Sequence, residues 1–373
     1  METRKLYYED CHLQEFTAAV ISCEPADKGF AVVLDATAFY PEGGGQACDL
    51  GTLGDARVLD VQEQGQQVVH LCDKPLSGTV TGKIDWERRF DLMQQHSGEH
   101  ILSGLIHKKF GYHNVGFHIG NTVMEVDFDG PITWEALEEL EAAANRAVWQ
   151  NLPIQCTVPA EDILPQLTYR SKKALTWPVR IVEVPGFDTC ACCGVHVART
   201  GQIGLVKVIS CVKFHQGVRL EMLCGQRAYQ YLHKVFLENR LVSQEFSAKP
   251  LEIGAAAQRM NRQLQEEKFR ATGLQKQLLE TVADRYRDQG RVIHFDTALP
   301  ARELADKIAA VCGGTAAVFS GSDETGYQVC ILGADAKELG VQVIALGGRG
   351  GGKPGTFQGS VTATREQLAA LFA

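Results

Sequence analysis

Two short segments far apart in the chain carry donors suited to one metal ion: His96-Ser-Gly-Glu-His100 and Cys192-Cys-Gly-Val-His196. Residues four apart on a helix return to the same face, so His96 and His100 would aim both imidazoles at one point from a stiff support. The second segment adds a thiolate and a third imidazole. Such a mixture of nitrogen and sulfur favours zinc, held at about 2.0 to 2.3 Å. Four protein ligands suit a closed structural site, whereas catalysis needs a position open to water, and the sequence leaves both readings standing. Given room, the ion would bring the pKa of bound water toward about 7 and polarise a carbonyl, as ester hydrolysis requires. Glu99 is a general base if it faces the metal; its place one residue before His100 favours instead a solvated helix charge. His96-x-x-Glu99-His100 also spells the H-x-x-E-H signature of a zinc peptidase, but that signature expects a further acidic ligand rather than Cys-x-x-x-His.

Two glycine-rich loops could approach a ligand with bare backbone. Gly347, Gly352 and Lys353 have the spacing of a phosphate loop, but Pro354 stands where such a loop needs a magnesium-binding hydroxyl, which argues against a nucleotide triphosphatase. What remains is an exposed backbone beside Arg349 and Lys353, suited to a phosphate or a nucleobase, or simply to tight packing. In Phe39-Tyr-Pro-Glu-Gly-Gly-Gly-Gln46, the glycines admit another backbone, and Glu42 and Gln46 could reach a ligand or a neighbouring domain.

The elements that must position these groups divide the chain into several domains, as 373 residues exceed one comfortable core. Residues 1–88 read as strands and turns of a small β-barrel, with Phe30–Asp35 and Gln67–Cys72 as strands. Residues 89–238 read as an α+β domain holding both metal segments. It comprises a helix from Arg88 to Lys109, a strand at 122–128, a helix from Thr133 to Trp149, and strands at 179–184, 203–209 and 218–223. Residues 239–288 read as a helical linker that starts at a Ser247 cap. Met260, Leu264, Ala271, Leu274 and Leu278 fall roughly in register, so the helix over 250–287 is either an exposed connector or a coiled coil pairing two chains into a homodimer. Residues 289–373 return to α/β grammar, with a strand at 341–346 and a last element from Thr364 to Phe372.

Hydrophobic residues at 45% and charged residues at 22% describe a globular chain, and the net charge of -8 opposes indiscriminate attraction to polyphosphates. Nucleic-acid contact would therefore need local basic surface. No apolar stretch reaches membrane-spanning length, and the start lacks a secretory segment. With twelve scattered cysteines, these features point to reduced thiols and the cytoplasm.

Three separated stretches, Thr37 to Gly51, Arg88 to Leu102 and Cys192 to Gly204, resemble in this order the free-standing alanyl-tRNA editing proteins of the long type, relatives of the editing domain of alanyl-tRNA synthetase. Gly347 to Gly359 resembles the DHH-associated domain that ends the long members. The resemblance implies a central zinc editing domain and a C-terminal domain that helps bind tRNA. It also implies that Zn2+ on His96, His100, Cys192 and His196 assists hydrolysis of the ester on alanine tRNA mischarged with serine or glycine. It leaves no segment for an aminoacylation core. On this reading Gln46 and Val115-Gly116-Phe117-His118 line the amino-acid pocket, unless His118 is a core histidine, and Arg349 and Lys353 contact tRNA. The family commonly has Cys-Gly-Gly-Thr-His where this chain has Cys192-Cys-Gly-Val-His, and a small polar residue at the place of Glu99. A non-catalytic tRNA-binding protein with structural zinc is the alternative.

Overall fold

At Trp86 the chain changes from strands to a long helix. In the computed structural model, which describes residues 2–171 and 175–371, the chain separates into two units, residues 1–239 and 240–373, each mixing helices and sheets. In the first unit, strands Glu15–Ala26, Gly29–Leu34, Gln67–Cys72, Ala56–Gln64, Gly51–Leu53 and Thr79–Ile84 pair in that order and close into a barrel. Strict alternation on Gln67–Cys72 turns Val68, His70 and Cys72 inward, against Val32, Leu34, Phe39 and Leu53.

The helix Trp86–Phe110 starts where the Asp85 carboxylate accepts the Arg88 N–H, and it carries His107, Lys108 and Lys109 in its last turn, as the helix dipole favours. It is buried on nearly every side. The capped helix Trp134–Gln150 packs on it, as does an antiparallel sheet ordered Val206–Phe214, Gly217–Cys224, Met124–Phe128, Asn114–Ile119. A three-stranded sheet of Gln155–Thr157, Ile181–Val184 and Asp188–Ala191 delivers the second metal segment. Arg89 and Asp49, both fully buried, tie the first helical turns to the barrel-side loop, with Arg89 Nε 2.8 Å from both carboxylate oxygens.

In the second unit, five strands run in the order Val292–Asp296, Ala316–Ser322, Gly326–Leu332, Thr356–Val361, Arg349–Gly351, the first pair parallel and the rest antiparallel. Helix Ala301–Cys312 and the end of helix Ile253–Asp284 cover one face through Leu279, Val282 and Ile308. Helices Ala336–Ala345 and Arg365–Ala370 cover the other, over Phe319 and Phe357.

Two expectations need correction here. The segment expected as a strand at 341–346 lies mostly in helix Ala336–Ala345: Leu339 and Val343, one turn apart, are buried, while Val341 and Ile344 are exposed. Gly340 permits this packing, since a Cβ there would come within 2.3 Å of Phe357 Cδ2. Ser247 caps nothing; the helix begins at Ile253, after Glu252, which makes no side-chain cap. The last expected element forms from Arg365 to Ala370 behind a Thr364 capping box, and Phe372 lies outside the described residues. Among the described residues no helix is long and apolar enough to cross a membrane.

Candidate metal centre

His96 and His100 lie one turn apart on the buried helix with ring centroids 5.3 Å apart, and the His196 ring lies 4.6 Å from each. Cys192 arrives on the loop after Asp188–Ala191. One donor atom each of His96, His100, Cys192 and His196 lies within 4.8 Å of all the others. The fold therefore brings together the four residues that the sequence singled out.

Each imidazole is held from behind through Nδ1: Gln46 Oε1 stands 2.8 Å from His96, Asp188 Oδ2 2.9 Å from His100 and Ser97 Oγ 3.4 Å from His196. This leaves the Nε2 atoms for the centre. His96 Nε2 is 3.4 Å from Cys192 Sγ, and His196 Nε2 is buried with no hydrogen-bond partner. An orphaned buried nitrogen is costly, and a cation that prefers nitrogen and sulfur donors would relieve it. By this test the residues fit a metal ion.

Electrostatics prepare the donors. Burial pushes the Cys192 thiol up, but the neighbouring imidazoles of His96 and His100 pull it well below its ordinary value, toward the thiolate that binds metal. Burial and the neighbouring His96 push His196 down to about 3, which keeps it neutral. At His100 burial opposes the charged form, yet Asp188 and Cys192 outweigh it and raise the imidazole well above 6.5. Arg170 in turn grips Asp188, with Nε 2.7 Å from Oδ1 and Nη2 2.8 Å from Oδ2. A carboxylate behind a ligating histidine fixes both its tautomer and its ring orientation.

The loop itself is pinned. Arg180 Nη1 donates to the Cys192 and Gly194 carbonyls at 2.9 Å each, and the Tyr8 hydroxyl donates to the Cys193 carbonyl at 2.6 Å. Gly194 is required because a Cβ there would sit 2.1 Å from His96 Cε1. Val195, by contrast, enters the core.

A cavity of about 360 Å³ opens beside the centre, lined by His96, His100 and Cys192 together with Glu99, Asn114 and Phe117. Glu99 is not a solvated charge. It is 4% exposed, its Oε1 accepting from Asn114 Nδ2 at 2.6 Å and from the Ser103 hydroxyl, because strand Asn114–Ile119 covers that side of the helix. Gln46 stands behind His96, leaving Gly44 and Gly45 to line the cavity. Neither Gly116 nor His118 lines it; His118 is exposed rather than a core histidine, and Asn114 and Phe117 take their place.

In the second unit the structure sets Arg349 and Lys353 apart. Arg349 lines a hollow of about 630 Å³ with Gln358 and Ser360, and Lys353 lines another of about 290 Å³. Arg349–Gly351 is a strand paired with Gln358–Ser360, so the glycine run lacks the strand–loop–helix context of a phosphate loop. Sequence reasoning missed Asp188, Arg170 and Asn114, which belong to no local pattern, and gave no role to Ser97, which lies inside the His96–His100 motif.

Two family profiles match the chain: "Threonyl and Alanyl tRNA synthetase second additional domain" over residues 179–220, which include Cys192 and His196, and "tRNA synthetases class II (A)" over residues 3–88, the barrel segment. The alanine-tRNA ligase of Ignicoccus hospitalis is 37% identical over 263 residues, and the match takes in 66% of this chain but only 29% of that protein's length. Alanyl-tRNA editing protein Aarsd1-A of Xenopus laevis is 28% identical over 379 residues, covering 94% of this chain and 92% of its own. Aarsd1 of Mus musculus is 28% identical over 387 residues, covering 96% and 94%.

Barrel, buried histidine pair and Cys-x-x-x-His loop thus make a candidate metal centre within a fold whose segments match domains of tRNA synthetases. The Xenopus laevis and Mus musculus relatives, which match along nearly the whole chain at 28% identity, are alanyl-tRNA editing proteins.

Proposed function

We propose that this protein is an aminoacyl-tRNA deacylase that acts in trans on alanine tRNA mischarged with serine or glycine, using zinc held by His96, His100, Cys192 and His196. The observation that carries this reading is a set of four converging donors, one ring nitrogen of which is orphaned, opening onto a cavity large enough for an aminoacyl group. The printed names of the full-length relatives support the substrate class.

Zinc bound there supplies a Lewis acid and an acidified water. The protein's part is positional: Gln46, Asp188 and Ser97 hold the imidazoles, Arg180 and Tyr8 hold the cysteine loop, and Phe117 with Gly44 and Gly45 shapes the cavity. The water oxygen bonds to the ester carbonyl carbon and the bond from that carbon to the ribose oxygen breaks. The leaving oxygen takes a proton, giving free amino acid and uncharged tRNA. Such a step is needed because a pocket shaped for alanine cannot strongly reject serine or glycine.

In this reading residues 1–88 and 89–238 form the barrel and the editing domain, and 239–288 the linker whose helix pairs two chains. Residues 289–373 form a DHH-associated-type domain that grips tRNA through local basic groups such as Arg349 and Lys353, and the protein works in the cytoplasm. The test is a panel of seryl-, glycyl- and alanyl-tRNA(Ala). Release of serine by the wild type, lost in Cys192→Ala, is expected. An intact seryl ester in the presence of full zinc occupancy would contradict the reading and favour a tRNA-binding protein with structural zinc.

A further inference from the structure

Glu99 lines the cavity but takes no part in holding the metal donors. Its carboxylate is fixed on one side only: Oε1 takes the Asn114 amide at 2.6 Å and the hydroxyl of Ser103, one helical turn on. Among the described residues no hydrogen-bond donor engages Oε2, and Glu99 lines the cavity. Arg170, which lines the same cavity, is committed through Nε and Nη2 to Asp188. Asn114 adds to the imbalance. With its Nδ2 given to Glu99, its Oδ1 can only accept, and that buried oxygen has no partner. Among the described residues, the cavity wall next to the metal donors therefore presents a buried carboxylate that makes no ion pair, answered through space by the Arg170 charge, and an amide oxygen without a partner. A buried charge of this kind is tolerated when a ligand supplies the opposite charge.

An aminoacyl ester supplies one. Its α-ammonium sits on the carbon next to the carbonyl under attack, two bonds from the reacting carbon. A peptidyl or N-acylated ester of the same tRNA has no such charge. We infer that Glu99 binds the substrate's α-ammonium through Oε2, so that the site selects esters of free amino acids over N-acylated ones. This rests on the ester-hydrolase reading above. It gives Ser103 and Asn114 the role of positioning residues, which hold the carboxylate with its free oxygen toward the cavity.

The experiment compares seryl-tRNA(Ala) with N-acetylseryl-tRNA(Ala) as substrates of the full-length, zinc-loaded protein, read as kcat and KM for each. Wild type is expected to prefer the free amine by about tenfold to a hundredfold in kcat/KM, mostly through KM, the scale of a hydrogen bond to a charged group. Glu99→Gln keeps the shape and the bonds to Ser103 and Asn114 but turns an amide N–H2 toward the ammonium, and its preference should fall to near one. Asn114→Ala, which frees the carboxylate to turn, should lose part of the preference while retaining zinc; it decides the matter if Glu99→Gln does not fold. A general base or a purely structural Glu99 gives a different result: both esters slow together and their ratio stays at the wild-type value, which overturns the inference. Equal cleavage of the two esters by wild type overturns it as well, yet leaves the deacylase reading intact. Cleavage of neither sinks both.

Discussion

His70 in the barrel and His196 in the metal centre are both fully buried and both held neutral, at about 4 and about 3, in each case chiefly because burial disfavours the charged ring. Their surroundings differ. His70 uses both nitrogens: Nδ1–H donates to the Val32 carbonyl at 3.1 Å, and Nε2 accepts the Thr37 hydroxyl at 2.8 Å. His196 keeps Nε2 without a partner, facing two more imidazoles and a cysteine. The fold completes one ring and leaves the other to a ligand. A buried histidine thus says little about function until its second nitrogen is accounted for.

Several substitutions would break or sharpen this contrast. The largest effect belongs to Cys192→Ala, which should remove most bound zinc and cut seryl-tRNA(Ala) deacylation by about a thousandfold, the scale on which a site loses its electrostatic stabiliser. Metal analysis and single-turnover hydrolysis read both. His70→Gln should leave zinc content unchanged, and a loss of metal there would erase the distinction between the two rings.

The barrel histidine has its own signature in pH. Folded His70 titrates near 4, below the ordinary 6.5, so the unfolded chain binds the extra proton first. Its contribution is fully present above about pH 6.5 and is lost as pH falls toward about 4, up to about 3 kcal/mol over that window. Urea unfolding at pH 7 and pH 5 should show a smaller pH dependence for His70→Gln than for wild type; equal slopes would refute the assignment.

Asp188→Asn leaves His100 without its anionic partner and should weaken zinc by about tenfold to a hundredfold while the metal still binds at saturation. A competition titration with a chelator measures this, and unchanged affinity would mean that Asp188 serves Arg170 alone. The smallest effect is on cleavage of a minimal acceptor-stem substrate when residues 290–373 are deleted. Affinity for whole tRNA should fall more than that rate, and equal losses would contradict the division of labour between the two units.

The ligand quartet was legible in sequence because chelation demands particular side chains, and a helix imposes the spacing of His96 and His100. The partners behind it were not. Gln46, Asp188 and Arg170 meet the centre only through tertiary contacts, 50 residues before His96, 88 after His100 and 18 before Asp188 respectively. Glu99 misled for a related reason: an acid on a helix is normally solvated, and only the strand at Asn114–Ile119, which closes over it, makes it a cavity wall. The Val341 to Leu346 run misled through composition. Its β-branched residues suit a strand, but burial of Leu339 and Val343 on one side set a helical period.

Zinc K-edge absorption of the protein purified in zinc-replete buffer tests the central claim most directly. The account predicts one equivalent of metal with a single sulfur at about 2.3 Å and nitrogen neighbours at about 2.0 Å, the sulfur lost in Cys192→Ser. A shell without sulfur, or a folded protein that binds no stoichiometric metal, would contradict it.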